Sequence, residues 1–161
     1  MSRIKEILND YNSVLVFDVD GVLAIPEFGL YNHYVLTDEQ WEKEKKKGEN
    51  FYTSDKVCNK IQNFLGNKNM DHIYVITTVS NNNEADFKKD FAYKYYNIRK
   101  ENVYCVNSNN EKTEKLIEIK KKYPNLEDHQ IVMIEDTVNI LNDIMKKTNF
   151  ATVHISSFLD I

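Results

Sequence analysis

Three short stretches set oxygen-bearing side chains directly after apolar runs. They are Asp18 and Asp20 in VLVFDVDGVLAIP (14–26), Thr77 and Thr78 in IYVITT (73–78), and Glu135 and Asp136 in IVMIEDTVN (131–139). Taken one at a time, each suits a helix cap, because Asp and Thr at strand-to-helix turns satisfy orphan N–H groups. Taken together, the acids ask for more. Ligands of an open α/β sheet bind beyond the carboxyl ends of the strands, where strand order reverses, so these clusters would converge on one edge. Packed there without a cation, Asp18, Asp20, Glu135 and Asp136 would repel one another and lose hydration. A divalent ion resolves the conflict, and oxygen-only ligands favour magnesium over zinc.

The elements that must position these residues are legible as short apolar runs. VLVF (14–17), IYVI (73–76), VYCV (103–106), IVMI (131–134) and ATVHI (151–155) are brief, β-branched and apolar without alternation, as buried strands are. Helical patterns fall between the later ones, from Glu84 to Asn97, Lys112 to Tyr123 and Thr137 to Lys147. Strands alternating with helices predict an α/β, Rossmann-like three-layer sandwich around a parallel sheet of about five strands. About fifty residues separate the first strand from the second, an unusually long connection. Its end, Ser54 to Leu65, reads as a crossover helix with Val57, Ile61, Phe64 and Leu65 on one face. Residues 22–53 are then a small cap or flap within a single domain spanning 1–161. In that insertion Thr37 and Gln40 form a capping box ahead of EQWEKEKKK, and Gly48 is its stop.

Composition excludes several classes. The chain has 161 residues, 42% of them hydrophobic and 29% charged, a balance suited to one globular unit. A net charge of −4 points to neither a nucleic-acid coat nor an anionic membrane surface. The N-terminal MSRIKEILNDYNS has amphipathic helical spacing rather than a signal-peptide core, and no apolar run reaches the roughly eighteen residues of a membrane span. Cys58 and Cys105 lack CxxC spacing and read as free thiols of a cytoplasmic protein. His33, His72, His129 and His154 show no metal-ligand spacing, and of these only His33 lies where it would reach a substrate.

FDVDGVL, VITT, Lys112 in NEKTEKL, and VMIEDTVN resemble, in order and spacing, the four motifs of the haloacid dehalogenase superfamily, from Val14 to about Asn142. The resemblance implies a magnesium-dependent phosphomonoester hydrolase. Asp18 would be the nucleophile that becomes an aspartyl phosphate, and Asp20 the acid and base that protonates the leaving oxygen and then activates water. Thr77, or Thr78 if the strand ends one residue later, would hold the phosphoryl group, with Lys112, or else Lys115, neutralising charge. Magnesium would be held by Asp18, Asp136 and the Asp20 carbonyl, with Glu135 as a further candidate. Asp20 also favours phosphoryl transfer over dehalogenation, whose leaving group needs no proton.

An insertion this short leaves the site open, which in the family goes with bulky substrates or with oligomers in which a neighbour closes the site. The expected partner is a phosphorylated substrate, first a nucleotide or polynucleotide end and otherwise another phosphomonoester such as a sugar phosphate or phosphoprotein. Phe28, Tyr31, His33, Tyr34, Trp41 and Phe51 are candidates either to contact it or to form the insertion's own small core. The basic run Lys43, Lys45, Lys46 and Lys47 reads as a solvated helix face, and Phe91, Tyr93, Tyr95 and Tyr96 as helix packing. A non-catalytic binding protein, and phosphotransfer to an acceptor other than water, are the competing readings.

Overall fold

The structure, a computed structural model, describes residues 3–25, 38–48, 50–53 and 56–160. Along the chain run α1 (Arg3–Asn9), β1 (Val14–Phe17), β2 (Ala24–Ile25), α2 (Asp38–Lys46), β3 (Lys56–Val57), α3 (Asn59–Leu65), β4 (Ile73–Thr78) and α4 (Asn82–Tyr96). They continue with β5 (Val103–Val106), α5 (Glu111–Lys121), β6 (Ile131–Glu135), α6 (Val138–Lys147), β7 (Ala151–His154) and a closing 3-10 segment, Ile155–Asp160.

Five strands form one parallel sheet in the order β5-β4-β1-β6-β7. The chain therefore builds outward from β1 through β4 to β5, then returns to place β6 on the other side of β1. Strand order reverses between β1 and β6, the position at which open α/β sheets bind ligands.

The period-two alternation of each strand divides the core into two layers. Leu15, Phe17, Ile73, Val75, Val132 and Ile134 pack beneath α1, α3 and α4. Val14, Val16, Tyr74, Ile76, Ile131 and Met133 pack beneath α5 and α6. Helices thus cover both faces, giving the three-layer α/β architecture expected from the sequence. Each fully buried Leu, Val, Ile or Phe contributes roughly 1.5–3 kcal/mol relative to its exposed state. Among the described residues no helix is long and apolar enough to cross a membrane.

The crossover helix begins later than its periodicity predicts. Lys56 and Val57 pair antiparallel with Ala24 and Ile25, so Val57 belongs to a ribbon rather than to a helical face. The backbone N–H of Cys58 is already used, donating to Tyr96 Oη at 2.8 Å and to the Leu23 carbonyl at 3.4 Å. With extended geometry at Cys58, α3 starts at Asn59. In the insertion α2 forms as expected, and Gly48 follows it at φ 71°, the left-handed conformation that ends a helix. Thr37 of the expected capping box, with Phe28, Tyr31, His33 and Tyr34, lies outside the described residues, as do the side chains of Gln40, Trp41 and Phe51.

Candidate functional site

Strand alternation also decides where each candidate side chain points. Asp18 continues the face of Val14 and Val16, and Glu135 that of Ile131 and Met133, so both face the α5 side. Lys112, in the first turn of α5, meets them there. Its Nζ lies 2.7 Å from Glu135 Oε2 and 3.2 Å from Asp18 Oδ2. All three are buried. Lys115 instead pairs with Glu118 on the outer side of the helix.

The two threonines face opposite layers for the same reason. Thr77 is fully buried on the α4 side, whereas Thr78 turns toward α5 and donates its hydroxyl to Asn109 Oδ1 at 2.7 Å.

Between β1 and β2 the chain makes a tight loop in which the Val19 carbonyl accepts from the N–H groups of Val22, Leu23 and Ala24. Buried Val19, Val22 and Leu23 hold the loop down. Gly21 adopts φ +75°, and a Cβ built there would lie 2.3 Å from Asp136 Oδ2. Only glycine meets both demands, the left-handed backbone and the close approach of the carboxylate that follows β6. The loop thus closes directly against the Asp136 carboxylate.

Carboxylate oxygens of Asp18, Glu135 and Asp136 lie within 4.8 Å of one another. Glu135 has both oxygens engaged, Oε2 by Lys112 and Oε1 by the N–H groups of Asp136 and Thr137 at 3.2 Å. Asp18 Oδ1, in contrast, is buried without a hydrogen-bond partner. An orphan carboxylate oxygen inside a set of oxygen donors fits a hard cation such as magnesium. Burial first, and then the Asp18 carboxylate, push the Glu135 carboxyl well above the usual range despite Lys112. Lys112 itself is held above its ordinary value, because Asp18 and Glu135 outweigh the burial that would discharge it. The cluster carries more acid than Lys112 balances, and either a proton or a cation relieves it.

Asp20 sits apart from this trio. Its Oδ1 accepts from Tyr52 Oη at 2.9 Å and its Oδ2 from Lys88 Nζ at 2.6 Å. Neither partner is expected from the sequence. Lys88 lies on α4, four residues after Glu84, a spacing that ordinarily marks an exposed ion pair. Here both are buried, on the stripe that continues through Phe91, Ala92 and Tyr96. Burial works to discharge Lys88, but the carboxylates of Asp20, Asp18 and Glu84 outweigh it and raise its pKa. Glu84 is raised by burial, yet Lys88, the Ser80 N–H and Lys45 together hold it below the usual carboxylate range.

Lys45 departs from the solvated face expected of its run. Its Nζ is 3.4 Å from Glu84 Oε1, tying α2 to α4, while Lys43, Lys46 and Lys47 are exposed. His154 was also missed. Its Nε2 donates to the Asp136 carbonyl at 2.9 Å, which assigns the tautomer, and its Nδ1 contacts Ser156 Oγ at 2.7 Å. The aromatic run behaves as helix packing, with Phe91 and Tyr96 buried and Tyr93 exposed.

A scan against protein-family models finds no match to this chain, and a search of the curated proteins finds none.

Proposed function

We propose that the protein is a magnesium-dependent phosphomonoester hydrolase that works through an aspartyl phosphate on Asp18, in the manner of the haloacid dehalogenase superfamily. The observation that carries this reading is Asp18 itself. It is buried at the reversal of strand order, 3.2 Å from Lys112, with one carboxylate oxygen unpartnered.

Asp18 would attack phosphorus with a carboxylate oxygen as the bond to the leaving oxygen breaks. Asp20, entering the cycle as the carboxylic acid, would hand that oxygen its proton and be left a carboxylate. Water would then attack the phosphorus of the aspartyl phosphate, giving its proton to Asp20 and releasing inorganic phosphate and the free Asp18 carboxylate. Thr78, on the α5-side face with Asp18, and Lys112 would hold and neutralise the transferring group, with Thr77 buried behind them on the α4 side. The magnesium ion would be bound by Asp18, Asp136 and the Asp20 carbonyl, beside Glu135. When bound, it supplies charge that lets an anionic nucleophile approach an anionic phosphate.

Among phosphomonoesters, a nucleotide or polynucleotide end is the first class to try, because DVDGVL followed by a short insertion is similar to the deoxyribonucleotidases. Unpaired Cys58 and Cys105 suit a cytoplasmic setting. The test is phosphate release from nucleotides, 3′- and 5′-phosphorylated oligonucleotides, sugar phosphates and phosphopeptides, with magnesium and with chelator. Release from at least one class, lost on chelation and restored by magnesium, is the expected result. No release from any class, by protein that demonstrably binds magnesium, would overturn the proposal in favour of a binding protein.

A further inference from the structure

Lys88 belongs to none of the four motifs, yet it is the most enclosed cation of the site, fully buried beneath the β1 and β4 ends. A lysine ammonium has three donors. All three find acceptors here: Asp20 Oδ2 at 2.6 Å, Thr77 Oγ1 at 3.1 Å and the Thr78 carbonyl at 2.6 Å. Glu84 Oε1, at 3.2 Å, supports it from the preceding turn of α4.

From this tripod we infer that Lys88 is a positioning residue, fixing the Asp20 carboxyl group against the end of β4. The inference rests on the proposed phosphatase reading. In that reading Asp20 serves the leaving oxygen and the β4 end, at Thr78, the phosphoryl oxygens, so the spacing between them sets the alignment of the bond that breaks. The tripod ties Asp20, in the loop after β1, to the last two residues of β4, and so joins two separate strand ends. Glu84 is held in turn by Lys45, so the insertion helix shares in the same alignment.

The consequence is specific to the leaving group. A p-nitrophenolate departs without help, whereas an alkoxide needs the proton that Asp20 must deliver from a defined position. General acid catalysis of this kind is worth about 10²–10⁴-fold. Lys88→Met should therefore lower kcat on an alkyl phosphomonoester at least about tenfold more than on p-nitrophenyl phosphate. KM on both should change little. Because a lone Met leaves Glu84 short of a counter-charge, the paired variant Glu84→Gln/Lys88→Met is measured beside it, with thermal melts of each.

Selective loss on the alkyl ester in either folded variant supports the inference. Equal loss on both esters, loss confined to KM, or no loss at all overturns it and leaves Lys88 a structural cation. Wild-type protein that hydrolyses neither ester, nor any of the panel above, brings down the phosphatase reading and the role of Lys88 with it. That failure is distinct, since it is seen before any variant is made.

Discussion

Asp18→Asn is expected to lose magnesium-dependent phosphate release by roughly a thousandfold or more while keeping its thermal stability. The first half follows from chemistry, since an amide oxygen cannot form the acyl phosphate. The second half follows from the charges around it. Asn has nearly the shape of Asp, and Lys112 keeps its hydrogen bond to Glu135 at 2.7 Å. The substitution also removes one negative charge from a cluster where acids outnumber lysines, and Asp18 Oδ1 has no hydrogen bond to lose. Stability should stay within about 1 kcal/mol of wild type, or rise. Initial rates and a thermal melt on the same preparation check both halves; activity lost together with the fold would mean that Asp18 is structural.

Lys112→Met should behave in the opposite way, losing activity and stability together. Removing the ammonium leaves Asp18 and Glu135 buried side by side with no cation between them. Breaking a buried ion pair by deleting one partner costs about 3–5 kcal/mol. At this chain length that corresponds to roughly 2–4 °C in Tm for each kcal/mol. Added magnesium should restore part of the loss, since an ion bound by Asp18 and Asp136 stabilises the folded state by mass action. Thermal melts of wild type and variant across a magnesium titration measure this. A variant as stable as wild type without magnesium would show that Lys112 does not carry the charge balance assigned to it.

The contrast between these variants shows which parts of the site could be read from sequence. The strands were legible because each is a four- to six-residue apolar run in a chain with few others, and the acids stood out by interrupting those runs. The sheet edge then brought Asp18, Glu135 and Asp136 together, as strand-end positions in a parallel sheet require. Val57 misleads because a β-branched residue four ahead of Ile61 and eight ahead of Leu65 fits a helical stripe as well as a ribbon. What settles it is the Cys58 N–H, taken by Tyr96, a partner 38 residues away.

Lys88, Glu84, Lys45 and Tyr52 were illegible for a different reason. A Glu and a Lys four apart on a helix look like surface residues, and a lysine in KEKKK looks solvated. Only their burial reveals otherwise. The one available signal was position, because 84 and 88 fall on the same helical stripe as Phe91, Ala92 and Tyr96. Tyr52 carries no local pattern at all; its link to Asp20 exists because the insertion returns across the β1 loop.

The central claim is that Asp18 carries the phosphoryl group. Its most direct test is an acid quench of the protein during turnover of a phosphate-labelled substrate, followed by digestion and location of the label. The account predicts label on the peptide containing Asp18, released by hydroxylamine as an acyl phosphate is, and absent from Asp18→Asn. Steady turnover with label on another residue, or retained by the Asn variant, would contradict it.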